Sequence, residues 1–189
     1  YMVEWLDEIE PEIRANTYRG YSGNVGNHIV PYFYPRRIKI QELKVSDLED
    51  FYKYLVFEKS KSDGSEPLSP TTITHIHRCI SKALNDAARK GIITVNVATL
   101  ARKPHSVKFK SQYLNERQVN ELLKTVKDTP IEVPVTICAV FGLRRGEVLG
   151  LKWKAVDMEN RTITISETLQ QHVGGSYTSP VSYTHLRAH

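Results

Sequence analysis

The chain has 189 residues, 40% hydrophobic and 25% charged, which is length and apolar content for one domain or two small ones and argues against intrinsic disorder. Lys and Arg number 26 against 21 Asp and Glu, giving a net charge of +5 and a pI near 9.1, a bias too small to name a partner by itself. No run of about 18 apolar residues occurs and the opening YMVEWLDEIE is acidic, so neither a membrane span nor an export signal is expected. Cys79 and Cys138 lie far apart with no CxxC pairing, so neither a disulfide framework nor a structural zinc site is expected, which fits a reducing cytoplasm. A chain that starts at Tyr1 is expected to lack an N-terminal piece.

Apolar spacing at Val3, Leu6, Ile9 and Ile13 predicts a helix over residues 2–15. A second follows Asn16 and Thr17, with Tyr18, Tyr21, Val25, Ile29 and Tyr32 at helical spacing, and is expected to end at Pro31 and Pro35. Its tyrosines read as core and boundary aromatics. Ser46 and Glu49 form a capping-box pattern for a third helix with Leu48, Phe51 and Leu55 as its buried stripe, stopping before the loop SKSDGSEP. The fourth starts with Ser69 as N-cap and Pro70 at the first helical position and ends at Gly91. At about 100° per residue, Ile73, Ile76, Ile80, Leu84 and Ala87 share a narrow arc, and His75, Arg78, Lys82 and Arg89 fall nearly opposite.

Positive charge concentrates here. Residues 68–110 hold Arg78, Lys82, Arg89, Lys90, Arg102, Lys103, Lys108 and Lys110 against the single acid Asp86, and the remainder of the chain is slightly negative. A polyanion-facing surface and a solvated basic face both fit that pattern. His75, His77 and Cys79 do not make a metal site, because helix residues two apart point about 200° from each other. His77 is expected to tuck inward and hydrogen-bond, and His75 to join the cationic stripe.

The stretch TVNVATLARKPHSVKFKSQ has no clean periodicity and reads as a basic interdomain linker. A second helical unit starts at Asn115, with Gln118 completing a capping box and Val119, Leu122 and Leu123 as its buried side. The apolar helix PIEVPVTICAVFG leads into GLRRGEVLGLKW, a short helix, followed by a Met158-Glu159-Asn160 turn and a strand at 162–166. Arg144 and Glu147 stand three apart, close enough for the carboxylate to orient the guanidinium, whose planar fork suits two oxygens of one phosphate; surface ion pairs have the same spacing.

GLRRGEVLGLKW with its polar turn and strand resembles the first catalytic-arginine box of the tyrosine recombinase, or phage integrase, family. Upstream, TYRGYSGNVGNHIVPYF, IKIQELKVSDLEDFYKYL, SPTTITHIHRCISKALNDAARKGII and YLNERQVNELL are similar, in order, to that family's core-binding domain and the start of its catalytic domain, so the resemblance covers roughly residues 2–178. It is nearest to integrases of mobile elements in low-GC bacteria and their phages.

The resemblance implies a mainly α fold: a four-helix, SAM-like core-binding domain over residues 1–94, a basic linker over 95–111, and the truncated start of an α+β catalytic domain over 112–178. It also implies a C-shaped clamp on duplex DNA in a bacterial, nucleoid-associated cytoplasmic protein. The family's reaction joins a tyrosine to the scissile phosphate as a 3′-phosphotyrosyl link, with no metal, nucleotide or other cofactor, and the full-length protein acts as a homotetramer on attachment or recombination sites. Arg144 takes the place of the first catalytic arginine and Glu147 that of its acidic neighbour. The expected DNA contacts are His75, Arg78, Lys82, Arg89, Arg102 and Lys103.

The family's hairpin lysine, His-x-x-Arg box, later His or Trp and tyrosine nucleophile have no counterpart; Tyr177 and Tyr183 lie too near the arginine box to replace the nucleophile. The chain is therefore expected to be inactive, although the resemblance implies that its parent is an enzyme. SPVSYTHLRAH shows neither strand nor helix pattern and resembles a translated adapter tail, so residues 179–189 are expected to be non-native. The alternatives are a non-catalytic DNA-binding or regulatory protein on the same clamp, and a helical module whose basic stripe meets an acidic protein.

Overall fold

A computed structural model describes residues 1–58, 64, 67–104, 110–172 and 175–187, the last two residues of the fourth stretch and all of the fifth as backbone alone. The fold is mainly α-helical and divides into two units, Tyr1–Phe109 and Lys110–His189.

In the first unit α1 (Met2–Ile9) buries Trp5, Leu6 and Ile9 and passes into a 3-10 turn at Glu10–Glu12, where Pro11 closes the path expected to run to residue 15. The second helical segment begins as α2 (Ala15–Asn24), widens into a π turn at Val25–Ile29 and continues as α3 (Val30–Phe33). Pro31 does not end it. A proline has no N–H to give and its ring collides with the carbonyl four residues back; the wide turn, in which Val30 N–H donates to Val25 O, lets the chain carry Pro31 in the first turn of α3. Tyr32 is buried, 4.8 Å from the Phe51 ring, and Tyr18 and Tyr21 pack partly buried against the same core.

α4 (Val45–Phe57) buries Leu48, Phe51, Tyr52 and Leu55. Its cap differs from the expected Ser46 and Glu49 pair: Asp47 Oδ2 accepts the Lys44 N–H at 2.8 Å, and Glu49 Oε1 takes the Arg102 N–H at 2.9 Å. The expected loop after it falls mostly outside the described residues. α5 (Pro70–Arg89) follows the sequence reading, with Ser69 Oγ accepting the Thr72 N–H and Gly91 at φ 71° turning the chain away, a left-handed conformation that suits glycine. Ile73, Ile76, Ile80, Leu84 and Ala87 are all buried, joined by Cys79 and Ala83.

The stretch expected to be linker docks on this unit where it starts. Asn96 is buried and donates to Ser81 O at 3.0 Å and Asn85 Oδ1 at 2.8 Å, seating the 3-10 turn Val97–Thr99 and buried Ala98 on α5. Lys108 and its neighbours at 105–109 lie outside the described residues.

The second unit opens with α6 (Glu116–Val126), capped as expected by reciprocal Asn115 and Gln118 bonds of 3.0 and 2.9 Å. Val119, Leu122 and Leu123, expected as its buried side, stay at least partly exposed, and only Val126 of this helix is buried. α7 (Glu132–Phe141), the most apolar helix, buries none of its residues and ends at Gly142, φ 66°. α8 (Arg145–Leu149) packs on an antiparallel sheet of order β1-β2-β3: β1 (Val156–Asp157), β2 (Thr162–His172), running beyond the expected 162–166, and β3 (Gly175–Arg187). Strand structure through residues 179–187 was not expected from their pattern. Val181, Tyr183 and Thr184 favour strands, and Pro180 sits at the irregular pairing beside Glu167 on an outer strand, where a missing N–H is tolerated.

Candidate nucleic-acid interface and arginine box

α5 sets the first group of residues. Because its apolar arc is buried, the opposite side faces solvent, and His75, Arg78, Lys82 and Arg89 are all exposed. Arg102 and Lys103 are exposed on the segment after the docked 3-10 turn, which the Glu49 carboxylate holds at the Arg102 N–H. Lys103 lies near enough to His77 for its charge, with that of Arg78, to act on the imidazole; burial is the larger cause, and the His77 pKa falls below its usual value. His77 is tucked, as expected: its Nδ1 meets Tyr52 Oη at 2.8 Å, and burial pushes the Tyr52 phenol up. Burial also pushes the Cys79 thiol up to about 12, leaving an inert core residue. Among the described residues no three His, Cys, Asp or Glu side chains gather as metal ligands.

The single acid of this basic stretch has a role that its position in the sequence does not announce. Asp86 is buried, its side chain 8% exposed, and its carboxylate accepts the Trp5 Nε1–H at 2.9 Å. Lys82 Nζ lies 2.9 Å from Oδ2 and Arg89 Nη2 3.2 Å from Oδ1. Burial alone would raise its pKa, yet the Trp5 indole, Lys82 and Arg89 outweigh that and hold it below the usual value. The cationic face thus divides into His75 and Arg78, which are not tied to Asp86, and Lys82 and Arg89, which converge on it. The helical spacing permits this, since Lys82 is four residues before Asp86 and Arg89 three after.

The arginine box belongs to the second unit. Arg144 is the extended residue before α8, and Glu147 holds it twice: Oε2 accepts its backbone N–H at 2.8 Å and Oε1 its Nη1–H at 2.9 Å. The two side chains differ sharply, Glu147 being 15% exposed and Arg144 87%. The Arg144 backbone N–H, more than its guanidinium, draws the Glu147 pKa below the usual carboxylate value. A half-buried, ionised acid therefore fixes an exposed guanidinium that keeps further donors free of Glu147.

Two glycines let α8 sit this low. A Cβ on Gly150 would stand 3.0 Å from both Glu167 O and Leu169 N, and one on Gly146 2.4 Å from Thr168 Oγ1 and 3.0 Å from Leu169 O. Their spacing of four puts both on the helix side facing β2. Lys152 Nζ bonds Glu167 Oε2 at 2.5 Å across the same crevice.

Comparison with known proteins agrees with this architecture. Residues 1–56 match the family described as phage integrase, N-terminal SAM-like domain. An integrase of Saccharopolyspora erythraea is 26% identical over 172 residues, covering 90% of this chain and 38% of that protein. A XerC-like tyrosine recombinase of Caldanaerobacter subterraneus is 20% identical over 177 residues, covering 90% of this chain and 43% of its own length. The Tn1549 transposon integrase bound to transposon right-end DNA shares the fold, with a TM-score of 0.77 at 20% identity over 100% of this chain and 60% of that one. The chain spans about two fifths of the length of these curated relatives. Residues 1–56 thus carry the phage integrase SAM-like domain, and across nearly its whole length the chain is similar in sequence to integrases and tyrosine recombinases.

Proposed function

We propose that this chain is the duplex-DNA-gripping part, with the opening of the catalytic part, of a tyrosine-type site-specific DNA recombinase. His75, Arg78, Lys82, Arg89, Arg102 and Lys103 contact the DNA. Arg144, oriented by Glu147, is the first arginine on the scissile phosphate. The core-binding part spans residues 1–94 and the catalytic part starts near residue 112. The whole protein assembles as a homotetramer on paired sites.

The observation that carries this reading is the Arg144 geometry. An exposed arginine held by a half-buried carboxylate, at its backbone N–H and at one guanidinium nitrogen, gives up less freedom on meeting a phosphate than a free one, and its fork suits two non-bridging oxygens. In phosphoryl chemistry such a preset cation acts on the charge that develops in the transition state.

Duplex binding measured across a salt series tests it. Arg78→Ala with Lys82→Ala is expected to weaken binding and reduce the slope of log K against log salt by about 0.9 for each phosphate no longer neutralised. Arg144→Ala is expected to keep most of the affinity. An unchanged slope in the double variant would remove α5 from the interface, and the absence of salt-sensitive duplex binding would favour an acidic protein partner.

A further inference from the structure

We propose that Asp86 is a positioning residue for phosphate binding, holding Lys82 and Arg89 as a preformed cation pair; this rests on the DNA-binding reading of α5. A lone acid in the most basic stretch of a polyanion-binding surface subtracts charge where each charge counts. Burying it is also costly unless its oxygens are fully engaged. Asp86 satisfies that condition with donors from two helices: Trp5 Nε1 of α1 at 2.9 Å, Lys82 Nζ at 2.9 Å and Arg89 Nη2 at 3.2 Å.

The geometry gives the acid a use. Trp5 fixes the carboxylate from outside α5, and beside it Tyr1 Oη donates to Ala83 O at 3.0 Å, so the anchor does not depend on the cations it holds. Lys82 and Arg89, flexible side chains one turn to either side, bring their heads to that single anchor. The cluster keeps a net charge of +1. The Lys82 side chain is 45% and the Arg89 side chain 73% exposed, so a phosphate meets ordered donors with most of the Arg89 fork still open. Ordering two long side chains before binding removes a cost that free lysines and arginines meet on contact. Asp86 touches no DNA itself and acts through its two neighbours.

The test uses the full chain and a duplex titrated across sodium chloride concentrations. The proteins are wild type, Asp86→Asn, the Lys82→Ala and Arg89→Ala double variant, and the triple variant. Asparagine keeps an oxygen for the Trp5 N–H, and circular-dichroism melting checks that the fold survives. Asp86→Asn is expected to weaken binding several-fold and flatten the salt slope by up to about 0.9 for each phosphate no longer neutralised, although its net charge has risen by one. In the double-variant background Asp86→Asn should add nothing, since it acts through those two residues.

Equal or tighter binding by Asp86→Asn, with an equal or steeper slope, overturns the inference and leaves an acid that merely neutralises. Weaker binding with the wild-type slope overturns it in favour of a structural role, as does an undiminished loss in the double-variant background. Absence of salt-steep binding by the wild type fails the DNA reading itself, a result distinct from all of these.

Discussion

The two units treat apolar residues in opposite ways. In Tyr1–Phe109 the four principal helices close on one core that buries Trp5, Leu48, Phe51, Leu55, Ile73 and Ile76 completely. In Lys110–His189 the described buried hydrophobics are Val126, Val148 and Ile165, while Ile131, Val133 and Val140 of and beside α7 stay exposed. The difference teaches where sequence pattern suffices: an amphipathic helix such as α5 states which side is buried, whereas α7 is apolar on every side and states only that it wants cover. It also separates the two candidate sites. The cationic face is the outside of a finished core, and the arginine box depends on a close seat of α8 against β2.

The largest effect expected is on the closed core. Phe51→Ala removes a fully buried ring and should cost about 3–5 kcal/mol in chemical denaturation. Hydrogen exchange in β2 should remain unchanged if the two units are stabilised separately; loss of protection in both would break the comparison. Next is Gly150→Ala, whose Cβ would meet two backbone atoms of β2 at 3.0 Å. Overpacking of this kind costs about 1–3 kcal/mol, and exchange should speed up in α8 and β2 while α5 keeps its protection. Undisturbed exchange in β2 would mean that α8 can ride outward at no cost.

A smaller effect follows from His77. Its folded pKa lies below the usual 6.5, chiefly through burial, so the unfolded chain takes up a proton more readily. The contribution is intact above pH 6.5 and is lost as pH falls from there through the folded pKa. Urea midpoints between pH 7.5 and 5 should therefore decline more in wild type than in His77→Gln. Parallel declines would place the pH sensitivity elsewhere.

Much of the first unit was legible because its signals are local. Ser69 with Pro70 and Gly91 bracket α5, and the 3.6-residue period separates Ile73, Ile76 and Ile80 from Arg78 and Lys82. Pro31 misled, since a proline ends an ordinary helix and no local signal announces the π turn that carries it through. Asp86 was visible as the single acid of the basic stretch but not as a buried anchor, because its indole partner stands 81 residues away. The Arg144 and Glu147 contact was readable from their separation of three; the partial burial of Glu147, and the close seat of Gly146 and Gly150 on β2 beside it, are tertiary features that no local pattern encodes. The strand over residues 179–187 was missed for the same reason, since pairing with β2 defines it rather than its own alternation.

The smallest effect on stability and the sharpest on chemistry should come from one residue. Arg144 is 87% exposed and covers little apolar surface, so Arg144→Ala should shift stability by no more than about 0.5 kcal/mol. Its neighbour behaves differently, because Glu147 also caps α8 through the Arg144 N–H, and Glu147→Ala should loosen the helix entry as well as free the guanidinium. If Arg144 is the catalytic arginine of the proposed recombinase, strand cleavage by the full-length protein should fall by orders of magnitude in Arg144→Ala with DNA affinity and melting temperature nearly unchanged. Arg144→Lys should recover little, since an ammonium keeps the charge and loses the planar fork. Full recovery by lysine would reduce the site to a point charge, and a large loss of stability in Arg144→Ala would make the residue a prop for α8 instead of a reader of phosphate.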